Sequence, residues 1–224
     1  MCGRFFVTAP GSIIAERFQL AVEPELPPRF NIAPSQAVLA VRTHRDSGGR
    51  EPAMLKWGLI PRWAKEISHG YKTINARAET VEKTPAFRDA FRRRRCLVVA
   101  TGFYEWQKRE TSKQPYAITM ADGSPFAFAG LWELRQAPGE DIMETCAIIT
   151  TEANGLVARI HDRMPVILPE GAYDLWLDPS ESRIEVLKPL LRPYPQEAMA
   201  AYAVSKVVNN PANETPECLA PAPE

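Results

Sequence analysis

Short apolar runs typical of β-strands recur along most of this chain, and they constrain its fold more than any other feature. Turn material such as DSGG (46–49) and ADGS (121–124) separates them. The strand-like runs are residues 37–43, 53–60, 96–106, 116–120, 126–134 and 145–153. Because regular helical patterns do not alternate with these runs, we expect a mainly antiparallel sheet that curls toward a barrel.

Helical patterns are fewer and flank the strand-like runs. They cover residues 11–20, 84–95, 170–177 and 182–191. The proline-rich stretch 24–34 predicts an extended, ordered connector. The sequence therefore predicts an α+β fold, in which a twisted, barrel-like sheet forms a compact core and a few helices flank it.

Length and composition indicate one domain. The chain has 224 residues, 45% of them hydrophobic, which suffices for a single substantial core. We place the domain at residues 1–208 and expect a disordered tail at 209–224, where Pro, Glu and Ala dominate. No apolar run approaches the length of a membrane-spanning helix, and Arg4 precedes any hydrophobic stretch, so we predict a soluble intracellular protein.

Charge and cysteine content narrow the functional classes. Lys+Arg and Asp+Glu both number 27, so only local patches could hold a nucleic acid. The four cysteines have no CxxC spacing, which favours neither a zinc cluster nor a disulfide framework. Cys96 and Cys146 lie in apolar runs, so we expect both to be small buried thiols of the core. We predict no metal and no cofactor.

Cys2 differs from the other cysteines because it follows the initiator Met1. Initiator methionine is trimmed efficiently when the next side chain is small, which would leave an α-amine and a thiol on one carbon. Such a pair can trap an aldehyde, because the amine forms an imine and the thiol then closes a thiazolidine ring. The same pair can instead attack an amide, with the amine as the base of an N-terminal nucleophile. Position alone does not choose between these chemistries.

Three further polar residues stand where a folded core does not require them. Glu105 lies among aromatic residues at the end of an apolar run, and partial desolvation there would raise its pKa toward neutrality. His161 lies in IHDRMPVIL (160–168) and Asn75 in TINARAET (73–80). Structural roles stay open for all three: an ion pair for Glu105, a core hydrogen bond for His161, and a turn or cap for Asn75.

Five motifs occur in a fixed order along the chain. They are MCGRF at the start, RFNIAP (29–34), INARAET (74–80), GFYEW (102–106) and IHDRMPVIL (160–168), with VSK (204–206) near the end. In these motifs the chain resembles the SOS-response-associated peptidase (SRAP) family, from Met1 to about Pro211. The resemblance implies a barrel-like α+β fold and a covalent sensor and shield of abasic sites in single-stranded DNA.

The resemblance also implies which residues react. The family's catalytic positions fall on Cys2, Asn75, Glu105 and His161. After removal of Met1, Cys2 would form a thiazolidine crosslink with the ring-opened aldehyde of the abasic site. Glu105 and His161 would move protons, and Asn75 would orient the sugar oxygen or the amine. The peptidase name would then reflect self-removal of Met1.

DNA would be held by residues close in sequence to these positions. The resemblance places phosphate contacts on Arg4, Arg77 and Arg163, with Thr150 as a further contact. The expected partner is single-stranded DNA containing abasic sites, bound by a monomer. The location would be the bacterial cytoplasm, associated with the nucleoid when bound to DNA, or the nucleus of a eukaryote.

Two other features could extend the DNA contact. Trp63 in WGLIPRW would stack on a base or wedge at the lesion, with core packing as the alternative. Relatives often carry a second aromatic residue next, whereas this chain has Ala64 and a longer loop at 64–72. The arginine run 92–95 is the strongest basic segment, with a solvated helix face as the alternative to DNA contact.

Two other functional classes stay open on sequence alone. One is a cysteine N-terminal nucleophile amidohydrolase of the glutamine amidotransferase type, although the glutamine-gripping motifs of that class do not reappear here. The other is a noncovalent reader of modified or single-stranded DNA, in which Cys2 is incidental. Only the crosslinking reading predicts a protein–DNA band that survives denaturing electrophoresis.

Overall fold

The computed structural model describes residues 2–44, 47–64, 70, 72–136 and 141–222. The strands are β1 (Phe5–Val7), β2 (Arg29–Ile32), β3 (Ala37–Thr43), β4 (Arg50–Trp57), β5 (Asn75–Arg77), β6 (Arg95–Ala100), β7 (Gly102–Lys108), β8 (Lys113–Met120), β9 (Phe126–Arg135), β10 (Met143–Glu152), β11 (Arg163–Pro165), β12 (Ile167–Leu168) and β13 (Met199–Ala203). The α-helices are α1 (Gly11–Phe18), α2 (Arg88–Arg93), α3 (Tyr173–Leu177) and α4 (Ile184–Leu187). Met1, residue 46 of the predicted DSGG turn, most of the predicted loop 64–72 and the last two tail residues lie outside the described residues.

Five strands close a barrel, which confirms the predicted α+β fold class. Strands β4, β3, β6 and β9 follow one another in antiparallel pairs, and β10 closes the ring by pairing with both β9 and β4. The β10–β4 pairing is parallel, as is the pairing of β10 with β5, in which Asn75 faces Ile148. Strands β11 and β12 extend the same sheet. β10 thus connects the barrel to the INARAET motif.

A second sheet covers the barrel and contains the N-terminal strand. Its order is β13, β8, β7, β1 and β2, with all pairings antiparallel. Phe5 on β1 pairs with Phe103 on β7 and with Ile32 on β2, so β1 is held on both sides. Its ring also makes edge contacts with Trp57 and Phe128 of the barrel, at centroid distances of 5.2 and 5.6 Å. These contacts fix the start of the chain over the barrel.

The predicted single strand 96–106 is two strands that belong to different sheets. The chain turns at Thr101, whose hydroxyl accepts hydrogen bonds from the backbone N–H groups of Thr8 and Ala9 at 3.0 and 3.1 Å. The next residue must be glycine, because a Cβ on Gly102 would lie 2.3 Å from the Phe6 ring. The corner therefore depends on residues about ninety positions away, which no local pattern reveals.

The C-terminal segment, residues 206–222, lies against the second sheet, which differs from the expected disordered tail. Glu214 accepts hydrogen bonds from Arg29 Nε at 2.9 Å, from the Asn31 backbone N–H at 2.8 Å and from the Phe30 backbone N–H. Cys218 is fully buried in a small cluster with Tyr104. A composition poor in large apolar residues predicted disorder, but specific polar contacts with β2 hold the segment in place.

Candidate active site around Cys2

Cys2 is buried at the entrance to β1, between the second sheet and the barrel. Its side chain is fully enclosed, and the residue belongs to the main hydrophobic core. Burial raises the pKa of the Cys2 thiol, and the negative charge of Glu105 raises it further. The thiol is therefore protonated at neutral pH, and its reaction as a nucleophile requires a nearby base.

Asn75 begins β5 and holds the backbone of Cys2. Its Nδ2 donates a hydrogen bond of 2.7 Å to the Cys2 carbonyl oxygen. The Asn75 Oδ1 atom is buried and accepts no hydrogen bond from the described residues. The parallel pairing of β5 with β10 at Ile148 fixes the position of this amide. Asn75 thus anchors the carbonyl next to the Cys2 α-carbon and keeps an acceptor for a further group.

Glu105 lies in the middle of β7 and is almost completely buried. Side chains alternate along a strand, so Glu105 shares a side with Phe103 of the main core, whereas Tyr104 enters the smaller cluster on the opposite side. Burial raises the pKa of Glu105, and the charge of nearby His161 partly offsets this rise. A carboxyl with a raised pKa can exchange protons nearer neutral pH than an exposed one.

His161 follows a short 3-10 helix (Val157–Arg159) and is half-buried. Its Nδ1 accepts a 3.0 Å hydrogen bond from the Arg163 backbone N–H and lies 2.8 Å from Asp162 Oδ1. The first contact needs a lone pair on Nδ1 and the second needs a proton there. Nδ1 therefore has a partner whether or not it carries the imidazole proton.

The four residues predicted to be catalytic meet at one place although they are far apart in sequence. Asn75 bonds to Cys2, Glu105 acts electrostatically on the Cys2 thiol, and His161 acts on Glu105. Among the described residues, no group of three or more His, Cys, Asp or Glu is placed to hold a metal ion. The arrangement brings together a thiol, a carboxyl, an imidazole and a primary amide, the types of group that nucleophilic attack and proton transfer require.

Comparison with known proteins identifies the family. The model of the SOS response associated peptidase (SRAP) family matches residues 1–211. The chain belongs to this family. It is 43% identical over 223 residues to the abasic site processing protein YoqW of Bacillus subtilis, covering 98% of this chain and 99% of that protein. It is 34% identical over 232 residues to the mouse abasic site processing protein HMCES, covering 87% of this chain and 65% of that protein.

Solved structures agree with this assignment. A protein from Bacteroides thetaiotaomicron superposes with a TM-score of 0.85 at 28% identity, covering 99% of this chain and all of that one. A phage-related protein from Bordetella bronchiseptica superposes with a TM-score of 0.73 at 30% identity, covering 91% and 94%. The resemblance predicted from the ordered motifs is thereby confirmed for the family and its SRAP fold.

Arg4, a predicted phosphate contact, is half-buried and bonded within this SRAP domain. Its Nη1 donates to Asn31 Oδ1 at 2.7 Å and to the Val208 carbonyl at 2.9 Å. Its guanidinium lies 5.7 Å from the centroid of the Trp106 ring. Asn31, which the sequence analysis gave no role, therefore fixes Arg4 beside the site. The sequence feature that could have indicated this role is the RFNIAP motif, which contains Asn31.

Arg163, another predicted phosphate contact, is held by residues on both sides. It makes two hydrogen bonds to the Glu79 carboxylate, at 2.6 and 3.0 Å, and one to the Thr150 carbonyl at 2.7 Å. Thr150 is fully buried, so it supports Arg163 rather than presenting its own side chain to a strand. Arg77 is exposed and pairs with Thr150 across β5 and β10. Of these, Arg77 is the most accessible to a phosphate.

The remaining predicted DNA contacts are Trp63 and the arginine run 92–95. Trp63 is 59% exposed, which excludes the core-packing alternative. Within the arginine run, Arg92 and Arg93 are exposed, whereas Arg95 is buried and donates five hydrogen bonds to backbone carbonyls. Arg94 pairs with Glu133 at 2.7 Å. The run thus divides into two exposed and two structurally engaged residues.

No helix among the described residues has both the length and the apolar character needed to cross a membrane.

Proposed function

We propose that the chain, once Met1 is removed, shields abasic sites in single-stranded DNA by forming a covalent thiazolidine at Cys2. The relatives named above are abasic site processing proteins, which suggests damaged DNA as the partner. The convergence of Asn75, Glu105 and His161 on Cys2 carries the proposal. All four residues belong to one chain, so a monomer suffices.

The chemistry proceeds in three balanced steps. An abasic deoxyribose opens from its hemiacetal to an aldehyde when its ring oxygen gains a proton and its hydroxyl loses one. The Cys2 amine then adds to the aldehyde and water leaves, which gives an imine. Finally the thiol adds across the C=N bond, its proton passes to the nitrogen, and the thiazolidine forms without loss of any atom. An imine alone permits strand cleavage by β-elimination, so ring closure protects the strand.

Glu105 and His161 are the groups that move these protons. Because burial raises the pKa of Glu105, its carboxyl can deliver a proton to the sugar ring oxygen. The carboxylate that results can accept the proton of the Cys2 thiol, whose raised pKa makes such a base necessary. His161 Nδ1 has a partner with or without a proton, which suits it to return the proton. Asn75 holds the Cys2 carbonyl while the ring closes.

Denaturing electrophoresis with a single-stranded oligonucleotide that carries one abasic site tests the proposal. The parent should give a heat-stable band whose intact mass equals protein without Met1 plus DNA minus one water. Cys2→Ala should give no such band and should bind the strand almost as well as the parent. Cys218→Ala is a matched control, since this thiol is also buried but lies in the smaller cluster with Tyr104.

Other outcomes point to the competing classes. Cys2→Ser keeps an amine that can form an imine, so borohydride-trappable adduct or strand cleavage should persist. Binding without a heat-stable band in the parent would indicate a noncovalent reader. Retention of Met1 in the intact mass would leave no free aminothiol and would refute the scheme.

A further inference from the structure

A cavity of about 610 Å³ lies at the end of the barrel away from Cys2. We call it the arginine cavity; its lining includes Arg50, Arg62, Arg93, Arg94, Trp132 and Glu133. The ends of β3 and β9 and the beginnings of β4 and β6 form its walls. The function proposed above makes no use of it.

The arginine cavity carries an excess of positive charge. Five arginines and three carboxylates line it. Asp174 pairs with Arg50 at 2.7 Å, and Glu133 pairs with Arg94 at the same distance. The Arg62 guanidinium lies 3.7 Å from Glu133 and its side chain is 64% exposed. The charge of Arg62 is therefore only weakly compensated, because Glu133 is already closely paired with Arg94.

Arg93 is the second exposed cation at this rim. It is the last residue of α2, is exposed, and lines the cavity beside Arg94. Two exposed guanidinium groups at this rim suit a phosphate, whereas Trp132 in the lining is buried, with the Arg42 guanidinium 4.4 Å from the centroid of its ring. A backbone phosphate of a nucleic acid strand is such an anion.

The position of the cavity relates it to the reactive site. Thr150 on β10 contacts Arg163 and pairs with Arg77, two predicted phosphate contacts of the reactive site, and Glu144, six residues earlier on the same strand, faces Leu134 of the cavity wall. At about 3.3 Å per residue, the two places are about 20 Å apart along the strand. A stacked strand rises about 3.4 Å per nucleotide, so about six nucleotides would span that distance.

Trp63 lies next to the cavity and provides a stacking surface beside it. It follows Arg62 in a turn that the Ala64 backbone N–H closes by bonding to the Pro61 carbonyl at 2.9 Å. Arg135 Nε bonds to the Ala64 carbonyl at 3.3 Å, which fixes the turn to the end of β9. An exposed indole followed by a cationic rim is the combination that proteins use to hold single strands.

We propose that the arginine cavity binds a backbone phosphate of the same DNA strand, about six nucleotides from the abasic residue, through Arg62 and Arg93. This inference rests on the function proposed above, because it assumes that the strand reacts at Cys2. The cavity then adds affinity and sets the minimum length of the strand without taking part in the chemistry.

The test measures affinity as a function of strand length at low salt. Strands carry a stable tetrahydrofuran analogue of the abasic residue, with about two nucleotides on each side or with about eight added on one side only. Extension on one side should raise parental affinity at least about five-fold, the value of one ionic contact in water. The double variant Arg62→Ala/Arg93→Ala should lose that gain and bind the short strand as the parent does.

Arg88→Ala is the matched control, since Arg88 is an exposed arginine of the same helix that does not line the cavity. It should keep the length-dependent gain. The proposal is overturned if neither extension raises affinity, if the double variant weakens short and long strands equally, or if it keeps the gain. It is also overturned if inorganic phosphate occupies the cavity at millimolar concentration while strand length has no effect.

Crosslinking of the short strand separates this inference from the proposed function. With a natural abasic site at saturating DNA, the parent and the double variant should form adduct at the same rate. Absence of adduct in both, together with a length-dependent gain on the analogue, would refute the chemistry at Cys2 and leave the strand-binding role of the cavity standing.

Discussion

Replacing Asn31 by alanine should weaken the attachment of the C-terminal segment to the second sheet. Asn31 is fully buried, and its Nδ2 lies 2.7 Å from the Asn213 carbonyl, 3.0 Å from that of Asn210 and 3.3 Å from that of Val208. Its Oδ1 accepts a 2.7 Å hydrogen bond from Arg4. One side chain therefore joins β2, Arg4 and the segment.

The magnitude follows from these contacts. The amide has two hydrogens, so its three contacts with the segment count as two hydrogen bonds of about 1 kcal/mol each. Each of the three carbonyls keeps another donor: Arg4 for Val208, the Asn213 backbone N–H for Asn210 and the Cys218 thiol for Asn213. We expect Asn31→Ala to lower the free energy of opening of residues 206–222 by about 2 kcal/mol.

Hydrogen exchange of the segment's backbone amides measures this directly. A loss of that size should speed exchange at residues 206–222 by about 30-fold, because each 1.4 kcal/mol corresponds to a factor of ten. Asn210→Ala is the control: that side chain is exposed and accepts one hydrogen bond, from the Ala212 N–H at 3.0 Å, so it should change exchange little. Less than about ten-fold acceleration in Asn31→Ala would refute the reasoning.

Three further predictions concern the site itself. Burial raises the pKa of Glu105, so the folded protein holds this proton more tightly than the unfolded chain, and stability falls as the pH rises from about 4.3 through the raised pKa. Urea unfolding should therefore find Glu105→Gln more stable than the parent at pH 8, by a margin that shrinks toward pH 4; a constant margin would contradict the burial argument. His161→Ala should slow single-turnover adduct formation by about 10²–10⁴-fold with little change in DNA affinity, and a parental rate would assign His161 a structural role. Arg77→Ala should reduce the slope of log affinity against log salt by about 0.7. Arg163→Ala should change this slope less, because Arg163 is already paired with Glu79. Equal slopes for the parent and Arg77→Ala would place the phosphate contacts elsewhere.

The sequence predicted the barrel strands because each is long enough to show its pattern. Six apolar runs foretold most of the barrel strands β3, β4, β6, β9 and β10, and most of β7 and β8 of the second sheet. The strands β1, β5 and β11 have three residues each, too few to show an alternation, and are defined by the partners they meet. The turn at Thr101 could not be predicted from the local sequence either, because it depends on Phe6 and Thr8.

The motifs indicated which residues would lie close together, and their catalytic roles stay predictions, but several of their contacts were not predictable. Ordered motifs pointed to Cys2, Asn75, Glu105 and His161, which the structure brings together. Burial of Thr150 arises from pairings of β10 with two other strands, which its own neighbours do not indicate. The arginine run 92–95 also shows the limit of local sequence. Its four residues are identical, yet two side chains are exposed and two make intramolecular contacts, because α2 ends and β6 begins within the run.

The burial of all four cysteines has a consequence for the redox behaviour of the protein. Each thiol is free, and burial raises the pKa of each one. Peroxides and disulfides react with the thiolate, and oxidation of a thiol to a sulfenic acid begins from that form. We therefore expect the folded chain to keep Cys2 reduced under oxidising conditions that would consume an exposed N-terminal thiol. Oxidant resistance should end when the chain unfolds, so the lifetime of the reactive thiol is tied to the lifetime of the fold.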